Sequence, residues 1–172
     1  MFSKATLMVV GLSFLIATPT TADELSTWLL QTQVECVVTT PNGIAAGEDH
    51  PDPRSYGNAD VSVWLWQNGT VVFKPGGPGF ITRDGSLGMK FPWQRGVSGK
   101  LTIEGRRVDA AAPPLRSEVS SGYGNRGFQA TYVIFPTPGC WEVTGRVGDA
   151  KVTFLTRVVK IGDGPAWRRD VP

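Results

Sequence analysis

Cys140 and His50 are the residues of this chain best equipped for covalent chemistry, a thiol and the only imidazole. A thiolate generated by the imidazole would attack an acyl carbon, and Arg146 or Arg157 would stabilise the oxyanion, giving a cysteine-dependent peptidase or transpeptidase. The context Pro-Gly-Cys-Trp lacks the threonines that accompany such a nucleophile, and nothing near it supplies the lowered thiol pKa that reactivity requires. A structural cysteine is therefore the leading reading and the thiol enzyme the alternative. Glu48, Asp49, His50 and Asp52 offer carboxylates and an imidazole to a metal, but the spacing lacks a calcium-loop ladder and one histidine is few for zinc, so a solvated acidic loop is expected and no metal or cofactor. Glycoside hydrolysis needs two carboxylates facing one cleft across ~5 to 9 Å. Asp84 and Glu104 are one such pair among several. No nucleophile-elbow motif accompanies the lone histidine, and the expectation is that the protein is not an enzyme.

Binding chemistry is better represented. Trp64 and Trp66 stand two apart in VSVWLWQ, and with Trp93 they would form an aromatic platform for a sugar ring or peptide. The competing and stronger reading places them in the interior, where large aromatics collect. Val61, Val63 and Leu65, on the opposite face of the same run, are equally apolar.

The start of the chain sets the compartment. Lys4 forms a positive n-region, residues 7–17 are a short apolar run, and Thr20-Thr21-Ala22 offers small residues to a signal peptidase, so residues 1–22 are expected to be a signal peptide cleaved after Ala22. The run is shorter than the ~20 residues of a membrane span, and no cysteine follows it to carry a lipid. The protein is expected to be secreted, periplasmic or at the cell surface. In that setting an even cysteine count favours a Cys36–Cys140 disulfide over two free thiols. Such a bridge would close a loop of about 100 residues, worth ~4 to 5 kcal/mol. Seventeen basic and fifteen acidic residues give a net charge of +2, lowered by one when Lys4 is removed, so neither nucleic acid nor anionic membrane is an expected partner.

The elements that must position these residues are short strands. Residues 33–39 read as a first strand carrying Cys36, preceded by a weak helical candidate at 24–32, and residues 41–58 as a surface loop rich in Gly, Pro, Asp and Asn. VSVWLWQ and TVVFKP flank Asn68-Gly69, which tolerates the positive φ angles of a type I′ turn and predicts a hairpin over 61–73. The turn accounts for Asn68-Gly69-Thr70 better than a glycosylation sequon does. Residues 75–86 read as a loop and 89–93 as a short strand. Residues 99–108 alternate, with Leu101 and Ile103 on one face and Thr102 and Glu104 on the other. An edge strand is expected at 115–119, a Gly-rich loop at 120–127 and a strand at 129–135. A closing hairpin over 135–161 turns at Gly148-Asp149. Seven or eight short strands with turn signals about every ten residues predict an all-β antiparallel sandwich over 23–162, and 163–172 a flexible tail.

The run from Phe135, Pro136 and Gly139 through Trp141 and Val143 to the β-branched residues 152–161 resembles the last two strands of bacterial immunoglobulin-like domains. MKFPWQRG, LTIEGRRVD and GYGNRGFQATYVIFP resemble a group of small exported bacterial proteins that has no assigned activity. The resemblance implies an immunoglobulin-like fold and no catalytic residue. It departs from antibody-type domains: Cys140 alternates with Trp141, so a core-facing tryptophan puts the cysteine on the outer face with Glu142, Thr144 and Arg146. The expectation is a monomeric, non-catalytic binding or structural module that meets an unknown protein or glycan at the cell envelope, with a carbohydrate-binding module using Trp64, Trp66 and Trp93 as the second alternative.

Overall fold

In a computed structural model, residues 35–48 and 50–163 are described. The expected signal peptide, the helical candidate at 24–32, Asp49 and most of the expected tail lie outside them. The described residues form ten strands and one 3-10 turn. Strands β1 (Ser55–Gly57), β2 (Val61–Trp64), β5 (Leu87–Arg95), β8 (Gly127–Phe135) and β7 (Arg116–Val119) form one sheet in that order, with β4 (Phe80–Ile81) also on β5. Strands β3 (Thr70–Phe73), β10 (Ala150–Lys160), β9 (Gly139–Val147) and β6 (Leu101–Arg107) form the other. The all-β sandwich is as expected. The strand count exceeds seven or eight because β1 and β4 are short strands inside the two stretches read as loops.

The closing hairpin is β9–β10, paired from Ala150 and Val147 across the two-residue turn at Gly148-Asp149. Trp141, Val143, Val152 and Phe154 point inward and are buried, as period-two alternation requires. Trp141 donates its indole N–H to the Thr137 carbonyl at 3.0 Å and packs edge-on against Phe135 at 5.6 Å. Leu101 and Ile103 are likewise buried and Thr102 and Glu104 exposed, and β7 is an edge strand.

The hairpin expected over 61–73 does not form. Asn68 does adopt the left-handed conformation, at φ 53° and ψ 32°, and Gly69 follows at φ 61°. The turn nevertheless carries the chain from one sheet to the other: β2 pairs with β5, and β3 lies parallel to β10, so the second sheet is mixed rather than antiparallel. Pro92 in β5 supplies the reason. The β2–β5 ladder runs from Val61↔Arg95 to Val63↔Trp93 and stops where Pro92, lacking an N–H, would have to donate to β2. The carbonyl of Lys90, two residues earlier and on the same side of β5, is taken by the indole N–H of Trp66 at 3.2 Å. Released from the ladder, the chain crosses at Gln67–Gly69.

The expected strand at 33–39 is also absent from its described part. Residues 35–40 carry no strand, because β3 occupies the side of β10 from Arg157 to Lys160 and only Thr39 reaches the rest of it. Its N–H donates to the Leu155 carbonyl at 2.9 Å, and its hydroxyl accepts the Leu155 N–H at 2.8 Å. The stretch 41–58 is more than a surface loop. Ala46 is 1% exposed and its N–H donates to Ser62 Oγ at 2.9 Å, so this segment covers one corner of the six-stranded sheet. Asn58 reaches across to the Lys151 carbonyl at 3.1 Å.

Candidate functional site

The sequence nominated three catalytic constellations, and none assembles among the described residues. Cys140 is bonded to Cys36, with Cα atoms 5.5 Å apart, and no described cysteine is free. Its sulfur lies on the outer face, opposite the buried Trp141, as the alternation predicted. His50 is exposed. Arg146 pairs with Glu104 at 3.1 Å. Around the acidic loop, Glu48 accepts from Gln94 at 3.1 Å and Asp52 pairs with Arg54 at 3.2 Å; no group of three His, Cys, Asp or Glu able to hold a metal occurs among the described residues. Asp84 and Glu104 do not share a cleft. Asp84 pairs with Arg116 of β7 at 2.7 Å, and the Arg116 and Thr82 hydrogen bonds hold its carboxyl below the usual range. Glu104 sits on the outer face of the other sheet.

The tryptophans divide. Trp93 is fully buried, its ring lying against Gly145 so closely that a side chain there would collide with it; it belongs to the core and leaves the expected platform. Trp64 is half-buried on the opposite side of β2 from Val61 and Val63, which with Leu65 fill the interior, whereas Trp66, past the end of β2, is half-buried and packs against that core. The favoured interior reading is thus overturned for Trp64, while Trp66 lies between the core and the surface. The β2 run is apolar on both faces, and the second face is stacked from outside. The Arg54 guanidinium lies 4.3 Å from the Trp64 ring, held by the Asp52 carboxylate. Phe128 of β8 approaches Trp64 at 6.2 Å with planes 55° apart, and Tyr123 approaches Phe128 at 5.5 Å and 59°. Phe128 and Tyr123 are 38% and 37% exposed. Phe128 was missed in the sequence because GFQATYVIF places apolar residues on both faces, leaving its outward set unmarked, and Tyr123 because it stands alone in a Gly-rich loop.

Tyr123 belongs to the Gly-rich loop 120–127, which Arg95 holds in place. Arg95 is 2% exposed and donates to the carbonyls of Gly99 at 3.0 Å, Gly124 at 2.9 Å, Tyr123 at 3.2 Å and Gly127 at 3.3 Å. No carboxylate among the described residues pairs with it, and burial pulls its pKa below the ordinary arginine value. An open depression of about 640 Å³ lies beside it, but the guanidinium hydrogens are already committed to carbonyls.

Next to Trp64 lies a cleft of about 710 Å³ walled by residues 38–41, 53–54 and 65–69. Trp66 supplies an aromatic wall, Arg54 the rim shared with Trp64, and Gln67 and Asn68 exposed amides. The 38–41 wall is fixed at three points: the Cys36–Cys140 bond, the paired Thr39–Leu155 hydrogen bonds, and Val38 set against Gly69, where a Cβ would fall 2.6 Å from the Val38 Cβ. Amides and a guanidinium around an aromatic wall suit a polyhydroxylated ligand, whose C–H faces stack on the ring while its hydroxyls bridge the donors and acceptors. No protein-family model, curated protein or solved structure matches this chain.

Proposed function

We propose that this protein is an exported, non-catalytic carbohydrate-binding module that takes its glycan in the cleft beside Trp66. The observation that carries the reading is the make-up of that cleft: one aromatic wall, two free-standing amides and a guanidinium pinned in orientation by Asp52. Such a set binds through stacking and directional hydrogen bonds and brings no nucleophile or base to the ligand. The disulfide that fixes one wall suits an oxidising, extracytoplasmic setting, and the cell envelope supplies glycans there. The module acts as a monomer with the cleft open to solvent.

The test is a glycan and peptide screen of the oxidised mature protein, followed by titration calorimetry on the hits. Glycan binding is expected, lost on Trp66→Ala and retained in His50→Ala, with no hydrolysis or transpeptidation of the bound ligand. Hits confined to peptides, or turnover that vanishes in His50→Ala, would defeat the reading.

A further inference from the structure

We infer that the ligand is a neutral glycan chain several sugars long, whose successive rings turn relative to one another, and that it continues out of the cleft across Arg54, Trp64, Phe128 and Tyr123. This rests on the carbohydrate reading above and extends it from a cleft to a track. Continuity is the first ground. Arg54 both lines the cleft and lies over Trp64, so a ligand leaving the cleft meets the stacked band without a gap. From there the steps are 6.2 Å to Phe128 and 5.5 Å to Tyr123, each close to the size of one sugar ring.

The band is also built and not incidental. Its rings come from β2, β8 and the 120–127 loop, and the loop is held by a buried arginine that meets only carbonyls among the described residues. Desolvating a cation without a counter-ion is costly, and here that cost fixes the segment that presents Tyr123. An aromatic held in place loses little freedom on binding. Charge bears on the ligand as well: Arg54, the cation that joins the cleft to the band, is already paired with Asp52, so it does not by itself recruit an anionic chain. The ring planes select its shape. Neighbouring planes are inclined by 55° and 59° and do not form one flat platform, whereas a flat β-1,4 ribbon presents coplanar sugar faces. A coiled α-linked glucan turns as it advances and follows the band.

The experiment is titration calorimetry of the oxidised mature protein with malto-oligosaccharides from dimer to heptamer, and with cello- and chito-oligosaccharides of the same lengths. Affinity is expected to rise about tenfold from maltose to maltoheptaose and to be unmoved by added salt. Phe128→Ala and Tyr123→Ala, both at exposed rings, should keep the native circular dichroism and each lower heptamer affinity about fivefold, leaving the dimer unchanged. Trp66→Ala should weaken both. Binding that does not grow with length, or that ignores the Phe128 and Tyr123 variants, would overturn the track while leaving the cleft reading intact. Tighter binding of the flat ribbons would overturn the turning chain. Failure of every glycan would sink the carbohydrate reading with it.

Discussion

Replacing Cys36 and Cys140 together by serine tests the fold and the cleft in one protein. The two residues are 104 apart in sequence, and losing a cross-link that closes a loop of that size returns ~4.7 kcal/mol of chain entropy to the unfolded state. For a domain of this size each kcal/mol moves the thermal midpoint by about 3 °C, so a fall of about 15 °C is expected. The sandwich should survive, because the buried set around Trp93, Trp141, Phe91 and Phe154 does not depend on the bridge. The cleft should not survive intact, since the 38–41 wall would retain only the Thr39 hydrogen bonds and the Val38 contact. Circular dichroism melts give the midpoint, and calorimetry well below it gives glycan affinity, expected to drop more than tenfold in the folded double variant. A midpoint shift under about 5 °C would refute the claim that the long loop is what the bridge stabilises. Unchanged affinity in the folded variant would refute its role in holding the wall.

Three further outcomes are expected. Trp141→Ala should cost ~3 to 5 kcal/mol in denaturant unfolding, whereas Glu142→Ala on the opposite face should stay within about half a kcal/mol; similar losses would mean the β9 register is wrong. Arg95→Met should cost ~2 to 4 kcal/mol by stranding the loop carbonyls it satisfies, and limited proteolysis should then cut first within residues 120–127; an uncut loop would contradict its anchoring role. Asp109 is held below its usual pKa chiefly by its hydrogen bond from Arg107, so its contribution is present above the unfolded carboxylate value of about 4 and is lost as pH falls through the lowered folded value; melts against pH should show this acid-side decline reduced in Asp109→Asn.

What the sequence made legible were elements whose determinants are local. The closing hairpin carries its turn, alternation and β-branched run within one stretch, and the Trp141/Cys140 division of faces followed from parity alone. Asn68-Gly69 was legible as dihedral angles and illegible as topology: the letters specify positive φ, but the fate of the two flanking runs is decided by Pro92, a residue of a different strand. The faces of Trp64 and Trp66 were ambiguous for a related reason, since Val61, Val63 and Leu65 are equally apolar and only the closed sandwich shows which set is covered. Arg54 and Phe128 reach Trp64, and Tyr123 reaches Phe128, from separate parts of the chain, and no spacing within any one run announces their meeting. Arg95 likewise reads as one more surface charge until the carbonyls of a distant loop close around it.

The short reach of β3 along β10 has a consequence for how the protein behaves in a crowded solution. β10 runs eleven residues, yet β3 shields only its last four paired positions, leaving a bare rim with backbone donors and acceptors turned toward any passing strand. The rim is stopped by single residues in place of a strand: the Asn58 amide occupies the Lys151 carbonyl, and Thr39 occupies both backbone groups of Leu155, the carbonyl with its backbone N–H and the N–H with its hydroxyl. One of these two stoppers hangs on the Cys36 tether. Cutting the tether leaves that stopper on its two hydrogen bonds and the Val38 contact alone, so the rim opens more readily and the reduced protein should polymerise edge to edge at concentrations where the oxidised protein stays dispersed.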